Sequence, residues 1–162
     1  MRLGAAREGE EASVQAAFFI MPIQILKSLH DEFRHLAGAD AARAILFRIG
    51  YSSGEAVTRK INIRMNSGLT LPETLTSLWI EMGLGRIIVS EEGEGRLHVQ
   101  CDGSSEAQAL GRMDAPSCDL TCGYLAGTAS ALSRYRYHCV ETECVTNGSE
   151  LCLFDLVPRH EA

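Results

Sequence analysis

Residues 118–156 read CDLTCGYLAGTASALSRYRYHCVETECVTNGSELCLFDL, and the change of hydrophobic period inside this stretch decides the fold class. From Leu120 to Ser133 the spacing is helical, with Cys118, Cys122, Leu125, Ala129 and Leu132 on one side and Gly123, Gly127 and Ser130 on another. The pattern then becomes strand-like. YRYHCVETECV and ELCLFDLV form a hairpin around TNGS, in which Asn147 and Gly148 supply the turn pair. Alternation sets Cys139, Glu141 and Glu143 on one strand face and His138, Val140 and Thr142 on the other. Cys144 and Cys152 stand on opposite arms, and Cys118 approaches from the helix mouth.

Upstream, GRIIVSEEGEGRLHVQCDG has two β-rich runs around a glycine-containing loop, a second hairpin. TLPETLTSLWIEMG before it predicts a helix: Thr70 and Glu73 fit a capping box, Pro72 fits the first turn, and Leu75, Leu78, Trp79 and Met82 form one face. An earlier helix, with Asp40 as its cap, carries Ile45, Leu46, Ile49 and Val57. Its Gly50 and Gly54, one turn apart, are costly unless a neighbouring helix packs tightly there. The first helix begins at Pro22 and shows Ile25, Leu26, Leu29, Phe33 and Leu36 up to Gly38. AAFFIM, residues 16–21, reads as a short strand. The expected architecture is α+β, with helices packed on one antiparallel sheet of about four to five strands. Residues 1–14 are expected to be a mobile tail, residues 15–157 a single domain, and residues 158–162 a C-terminal tail.

The chain has 162 residues and a formal net charge of -6, enough length for one hydrophobic core and no basic face for tracking nucleic acid. AAFFIMPIQIL is too short to span a bilayer and is interrupted by Pro22. A cytoplasmic location is therefore expected. Six cysteines without an export signal favour thiols, metal ligands or core residues over a disulfide framework.

Three thiolates and a carboxylate could form a closed four-coordinate zinc site tying helix to hairpin, with no position left for substrate. By spacing alone the assignment stays open. Buried cysteines also act as small hydrophobes, a surface disulfide is a third reading, and Cys122 or Cys139 could replace a ligand.

The stretch from 118 to 156, with DGSSEAQALG before it, resembles the vinyl-4-reductase-type (4VR) domain family. That family's pattern runs from a cysteine through a Gly-Tyr-x-x-Gly helix to a glutamate, a cysteine, a turn and a final Cys-x-Phe. The likeness covers roughly residues 15–157, and its last third is the specific part. The turn departs from the pattern, reading NGSE where a glycine followed by aspartate is usual. The resemblance implies the ligand-binding fold shared by NO-signalling and Golgi-transport proteins. It also implies structural Zn2+ on Cys118, Glu141, Cys144 and Cys152, as in the sensor domains of phenol- and xylene-responsive activators. Such a site is formally near -2, calling for nearby positive or N–H donors, and Arg134, Arg136 and His138 are nearest in sequence.

No catalytic constellation emerges. His30, His35, His98, His138 and His160 are scattered and suit surface or capping roles, while SSGE and NSG lack the features of a phosphate loop. The chain is not expected to be an enzyme. Ile45, Ile49, Trp79, Met82, Leu97 and Tyr124 could line an apolar cavity between helices and sheet, although each is also ordinary core material. These readings converge on a zinc-stabilised sensor or carrier domain for a small apolar or aromatic molecule. Lacking an ATPase motor or DNA-reading helix pair, it would signal through a regulatory protein partner, and the Gly50/Gly54 face would suit a homodimer. The alternatives are an assembly block like the subunits of the vesicle-tethering transport particle (TRAPP), or an accessory role in bacteriochlorophyll vinyl reduction.

Overall fold

The computed structural model describes residues 21–60 and 69–159. In chain order these form α1 (Gln24–Ala37), α2 (Ala39–Lys60), α3 (Leu71–Glu81), β1 (Arg86–Glu92), β2 (Arg96–Asp102), α4 (Ser105–Leu110), α5 (Asp119–Leu132), β3 (Arg136–Glu143) and β4 (Cys152–Arg159). The four strands make one antiparallel sheet in the order β1-β2-β4-β3. The expected α+β class and strand count are borne out. Residues 1–14, most of the expected strand over residues 16–21, the NSG segment and His160 lie outside the described residues.

Strand alternation builds the core. Leu97 faces Leu156, Val99 faces Phe154 and Cys101 faces Cys152 across β2 and β4, and all six side chains are buried. α5 lies over this layer with Leu125, Ala126 and Ala129 fully buried, and α3 adds Leu75 and Trp79. The capping box on α3 forms as expected: Thr70 Oγ1 accepts from the Glu73 N–H, and the Glu73 carboxylate accepts from the Thr70 N–H at 2.8 Å. Two helix starts differ from expectation. α1 begins at Gln24, and Asp40 sits in the first turn of α2, where the Gly38 carbonyl accepts from the Ala42 N–H at 3.0 Å in place of a side-chain cap. β4 also runs on to Arg159 rather than ending before a tail.

α2 crosses α5 through paired glycines. A Cβ on Gly50 would lie 2.1 Å from the Leu120 carbonyl oxygen, and one on Gly123 would lie 2.0 Å from that of Phe47. Gly54 and Gly127 repeat the contact one turn further along. The neighbour expected at Gly50 and Gly54 is therefore α5 of the same chain. This face is consumed internally and gives no argument for a homodimer.

Candidate metal centre and ligand site

Four side chains converge where α5 meets the β3–β4 hairpin. Cys118 is the residue that opens α5, Glu141 projects from β3, Cys144 follows that strand, and Cys152 begins β4. A register shift between Glu141 and Glu143 bends β3 at this point, re-aiming side chains as bulges do. The chain then makes a tight turn over Val145–Asn147, and left-handed Gly148 (φ 108°) lets the Ser149 N–H reach the Cys144 carbonyl at 3.1 Å. The Cys118 and Cys144 sulfurs are 3.7 Å apart, as are those of Cys144 and Cys152. All four ligand atoms lie within 4.8 Å of one another.

These residues fit a tetrahedral dication. Zinc–thiolate bonds of about 2.3 Å set sulfurs roughly 3.8 Å apart at tetrahedral angles, close to the spacing present. Glu141 Oε2 accepts the Cys118 backbone N–H at 2.8 Å, whereas Oε1 is buried with no hydrogen-bond partner among the described residues. A cation would complete that oxygen. Burial, then the contact with the Cys144 thiol, pushes the Glu141 carboxyl up to about 8. Hydrogen bonds from the Cys118 and Cys152 thiols hold Cys144 well below the ordinary thiol range. The Cys118 thiol rises far above that range through its bond to Cys144, then through that to Cys152 and burial. At Cys152 the Cys118 contact lowers the pKa, but the Cys144 contact and burial outweigh it and lift the thiol to about 12. The acceptors thus share protons that a dication would displace.

The two open substitute ligands, Cys122 and Cys139, lie outside this group: both are buried and hydrogen-bonded to each other. Cys101 is buried opposite Cys152, and burial, chiefly, lifts its thiol to about 12. All six cysteines are free thiols. The positive side chains expected near the site are elsewhere. Arg134 and Arg136 stand at the opposite end of β3, and His138 packs on Phe47 with ring centroids 5.6 Å apart. The donors present are the Cys118 N–H and two hydroxyls, Thr146 Oγ1 at 3.0 Å from the Cys144 sulfur and Ser104 Oγ at 3.6 Å from that of Cys118. Neither hydroxyl stands out in the sequence, because both depend on loops closing over the cluster.

His30 is a clear correction to the expected surface role. It is buried, with Nε2 2.6 Å from Glu106 Oε1 on α4. Glu106 also accepts from the Leu120 and Thr121 N–H groups at 3.1 and 2.7 Å, closing the start of α5. This junction sets the position of Cys118 two residues before Leu120. Glu106→Gln keeps the shape but weakens the acceptor for two backbone donors, and is expected to cost about 1–2 kcal/mol in urea unfolding.

The six side chains expected around one cavity do not surround a common space. Trp79 and Leu97 are core, and Tyr124 packs edge-on against Trp79 with centroids 5.8 Å apart while its hydroxyl donates to the Met82 sulfur at 3.1 Å. Ile45 and Ile49 instead line a shallow surface depression with Arg48, Ser52 and Ser53. Amphipathic spacing brought both groups to helix faces without separating core from surface. One feature of the inner group still points to a ligand: Trp79 Nε1 is buried and has no hydrogen-bond partner among the described residues. A buried indole N–H normally finds an acceptor.

Residues 97–158 match the vinyl-4-reductase (4VR) domain family, in agreement with the resemblance read from sequence. No curated protein matches the chain. Among solved structures, the chain is similar to the phenol-responsive sensory domain of the transcription activator PoxR, solved with phenol. The two are 25% identical with a TM-score of 0.74, over 87% of this chain and 76% of that one. A trafficking protein particle complex subunit 3 from Naegleria fowleri, covalently bound to palmitic acid, is 14% identical with a TM-score of 0.59, over 85% and 95% of the two chains. An H-NOX protein from S. oneidensis in the Fe(II)NO state is 10% identical with a TM-score of 0.57, over 84% and 74%. The last two share the fold, as expected from the NO-signalling and Golgi-transport resemblance. Among the described residues no helix is long and apolar enough to cross a membrane.

Proposed function

We propose that this chain is a small-molecule sensor domain for an apolar or aromatic ligand, held in shape by zinc on Cys118, Glu141, Cys144 and Cys152. The observation that carries the reading is the likeness to the PoxR sensory domain, at 25% identity and TM-score 0.74. Three sulfurs and an orphaned carboxylate oxygen in one buried cluster support the zinc assignment, since soft thiolates select zinc over hard cations. Zinc here would act structurally, with every tetrahedral position taken by protein. The proposal includes no catalytic step. A cytoplasmic setting, where thiols stay reduced, suits six free cysteines, and the ligand signal passes to a regulatory partner.

Trp79 is the residue proposed to orient the ligand, its unpartnered N–H meeting an oxygen such as a phenol hydroxyl. Trp79→Phe keeps an aromatic ring and removes that donor. Calorimetric titration of the metal-loaded protein with phenol is expected to show one site per chain, weakened about tenfold in the variant, the value of one buried hydrogen bond. Absence of phenol uptake by the metal-loaded wild type would overturn the sensor reading. Equal uptake by wild type and variant would remove Trp79 from the site.

A further inference from the structure

The formal net charge of -6 is unevenly distributed. At the end of β3 away from the cysteine cluster, the C-terminal turns of α2 and α5 meet the start of β3 and the end of β4. Arg59, Arg134, Arg136 and Arg159 line a cleft of about 330 Å³ there, with Glu55 the only carboxylate on its described lining. The cleft carries a formal +3 on an acidic protein.

Its construction differs from that of a solvated charged surface. The strand register places Arg136 directly opposite Arg159, and like charges so placed repel and weaken a sheet edge. Neither guanidinium takes part in an ion pair among the described residues. The other arginines are held in place without that repulsion being relieved. Arg59 bonds Glu55 at 2.9 Å, and Arg134 lies 5.0 Å over the Tyr135 ring while donating to its hydroxyl at 2.8 Å. Arg136 stands 5.6 Å from the Tyr51 ring. Stacking on an aromatic face orients a guanidinium and leaves its charge intact. The wall behind them is tied down: Ser130 Oγ donates to the Ala126 carbonyl at 2.7 Å and accepts from the Tyr137 N–H at 2.8 Å.

We propose that this cleft binds a small phosphoryl anion of the di- or triphosphate class, at a site separate from the metal cluster and from Trp79. Guanidinium forks match phosphoryl oxygens in paired hydrogen bonds. Four of them converging from four segments ask for a compact ligand with several charged oxygens. A monocarboxylate would engage only one fork, and an acidic peptide would favour a stripe over a single concavity. Bound anion would also relieve the repulsion between Arg136 and Arg159, so it should bind the folded state and stabilise it.

The test is calorimetric titration and thermal melting of the full metal-loaded chain with pyrophosphate, acetate and hexaglutamate. The expected result is one pyrophosphate site per chain, no acetate heat and a raised Tm with pyrophosphate. Arg159→Gln should weaken binding about tenfold or more, the effect of losing a charge-assisted pair. Arg136→Gln with Arg159→Gln should abolish the pyrophosphate-induced rise in Tm while leaving the anion-free Tm unchanged or higher, because the opposed charges are gone. Arg43→Gln, outside the cleft, should leave binding intact. The proposal is overturned by absent pyrophosphate binding, by unchanged binding in the double variant, or by an equal loss in Arg43→Gln. Tighter binding of hexaglutamate than of pyrophosphate would assign the cleft to an acidic protein segment instead and overturn it equally.

Discussion

Replacing Cys152 with serine is expected to release the bound zinc and to lower Tm by about 10 °C, read by metal analysis after gel filtration and by a melting curve. The size follows from linkage. Metal that binds only the folded chain stabilises it by about 4 kcal/mol when present at roughly a thousandfold over its dissociation constant, and a chain of this size loses about 2–4 °C per kcal/mol. Serine preserves the volume at a fully buried position but offers no thiolate. It would leave the Cys118 and Cys144 sulfurs, 3.7 Å apart, with one carboxylate. Chelator treatment of the wild type should reproduce the fall in Tm and cause no further fall in the variant. Cys139→Ser supplies the contrast: this thiol is buried but bonded to Cys122 outside the four-atom cluster, so its loss should lower Tm while zinc stays at one per chain. Full zinc and an unchanged Tm in Cys152→Ser would remove the centre.

The same contrast shows what could be read from residue order alone. Alternation after Ser133 located both strands of the second hairpin, and the turn pair Asn147–Gly148 located the reversal that brings Cys144 toward Cys152. The capping box at Thr70 fixed the start of α3 because its signal is entirely local. Tertiary features escaped. α4 spans six residues, too short to hold by propensity. Ser104 caps it and the Glu106 contacts to α1 and α5 anchor it. His30 looked superficial because its partner lies 76 positions away in sequence. The cavity assignment failed for a related reason, since apolar spacing marks a helix face but does not say whether the face meets side chains, ligand or water. The opposed pair Arg136 and Arg159 was equally hidden, because it depends on a register that only the paired strands reveal.

Gly123→Ala is the second change expected to have a large effect, costing about 3 kcal/mol and lowering Tm by roughly 6–12 °C. Alanine is the better helix former by about 1 kcal/mol, so a gain would be expected if only local propensity acted. Here the added Cβ would stand 2.0 Å from the Phe47 oxygen, 2.8 Å from its carbonyl carbon and 2.9 Å from the Tyr51 nitrogen. Every one of these atoms is backbone, so no rotamer change can make room, and α2 must move off α5. Gly93→Ala is the matched control, because nothing lies within 4 Å of its added Cβ, and its Tm should stay nearly constant. The zinc content of Gly123→Ala should also stay at one per chain, since the four ligands sit at the opening of α5 and on the β3–β4 hairpin, away from the helix crossing. Loss of stability with metal retained would separate the two supports of the fold: the glycine crossing that joins α2 to α5, and the cluster that joins α5 to the sheet. Unchanged melting of Gly123→Ala would mean that the helices can separate without cost, contrary to the close approach that all four glycines permit.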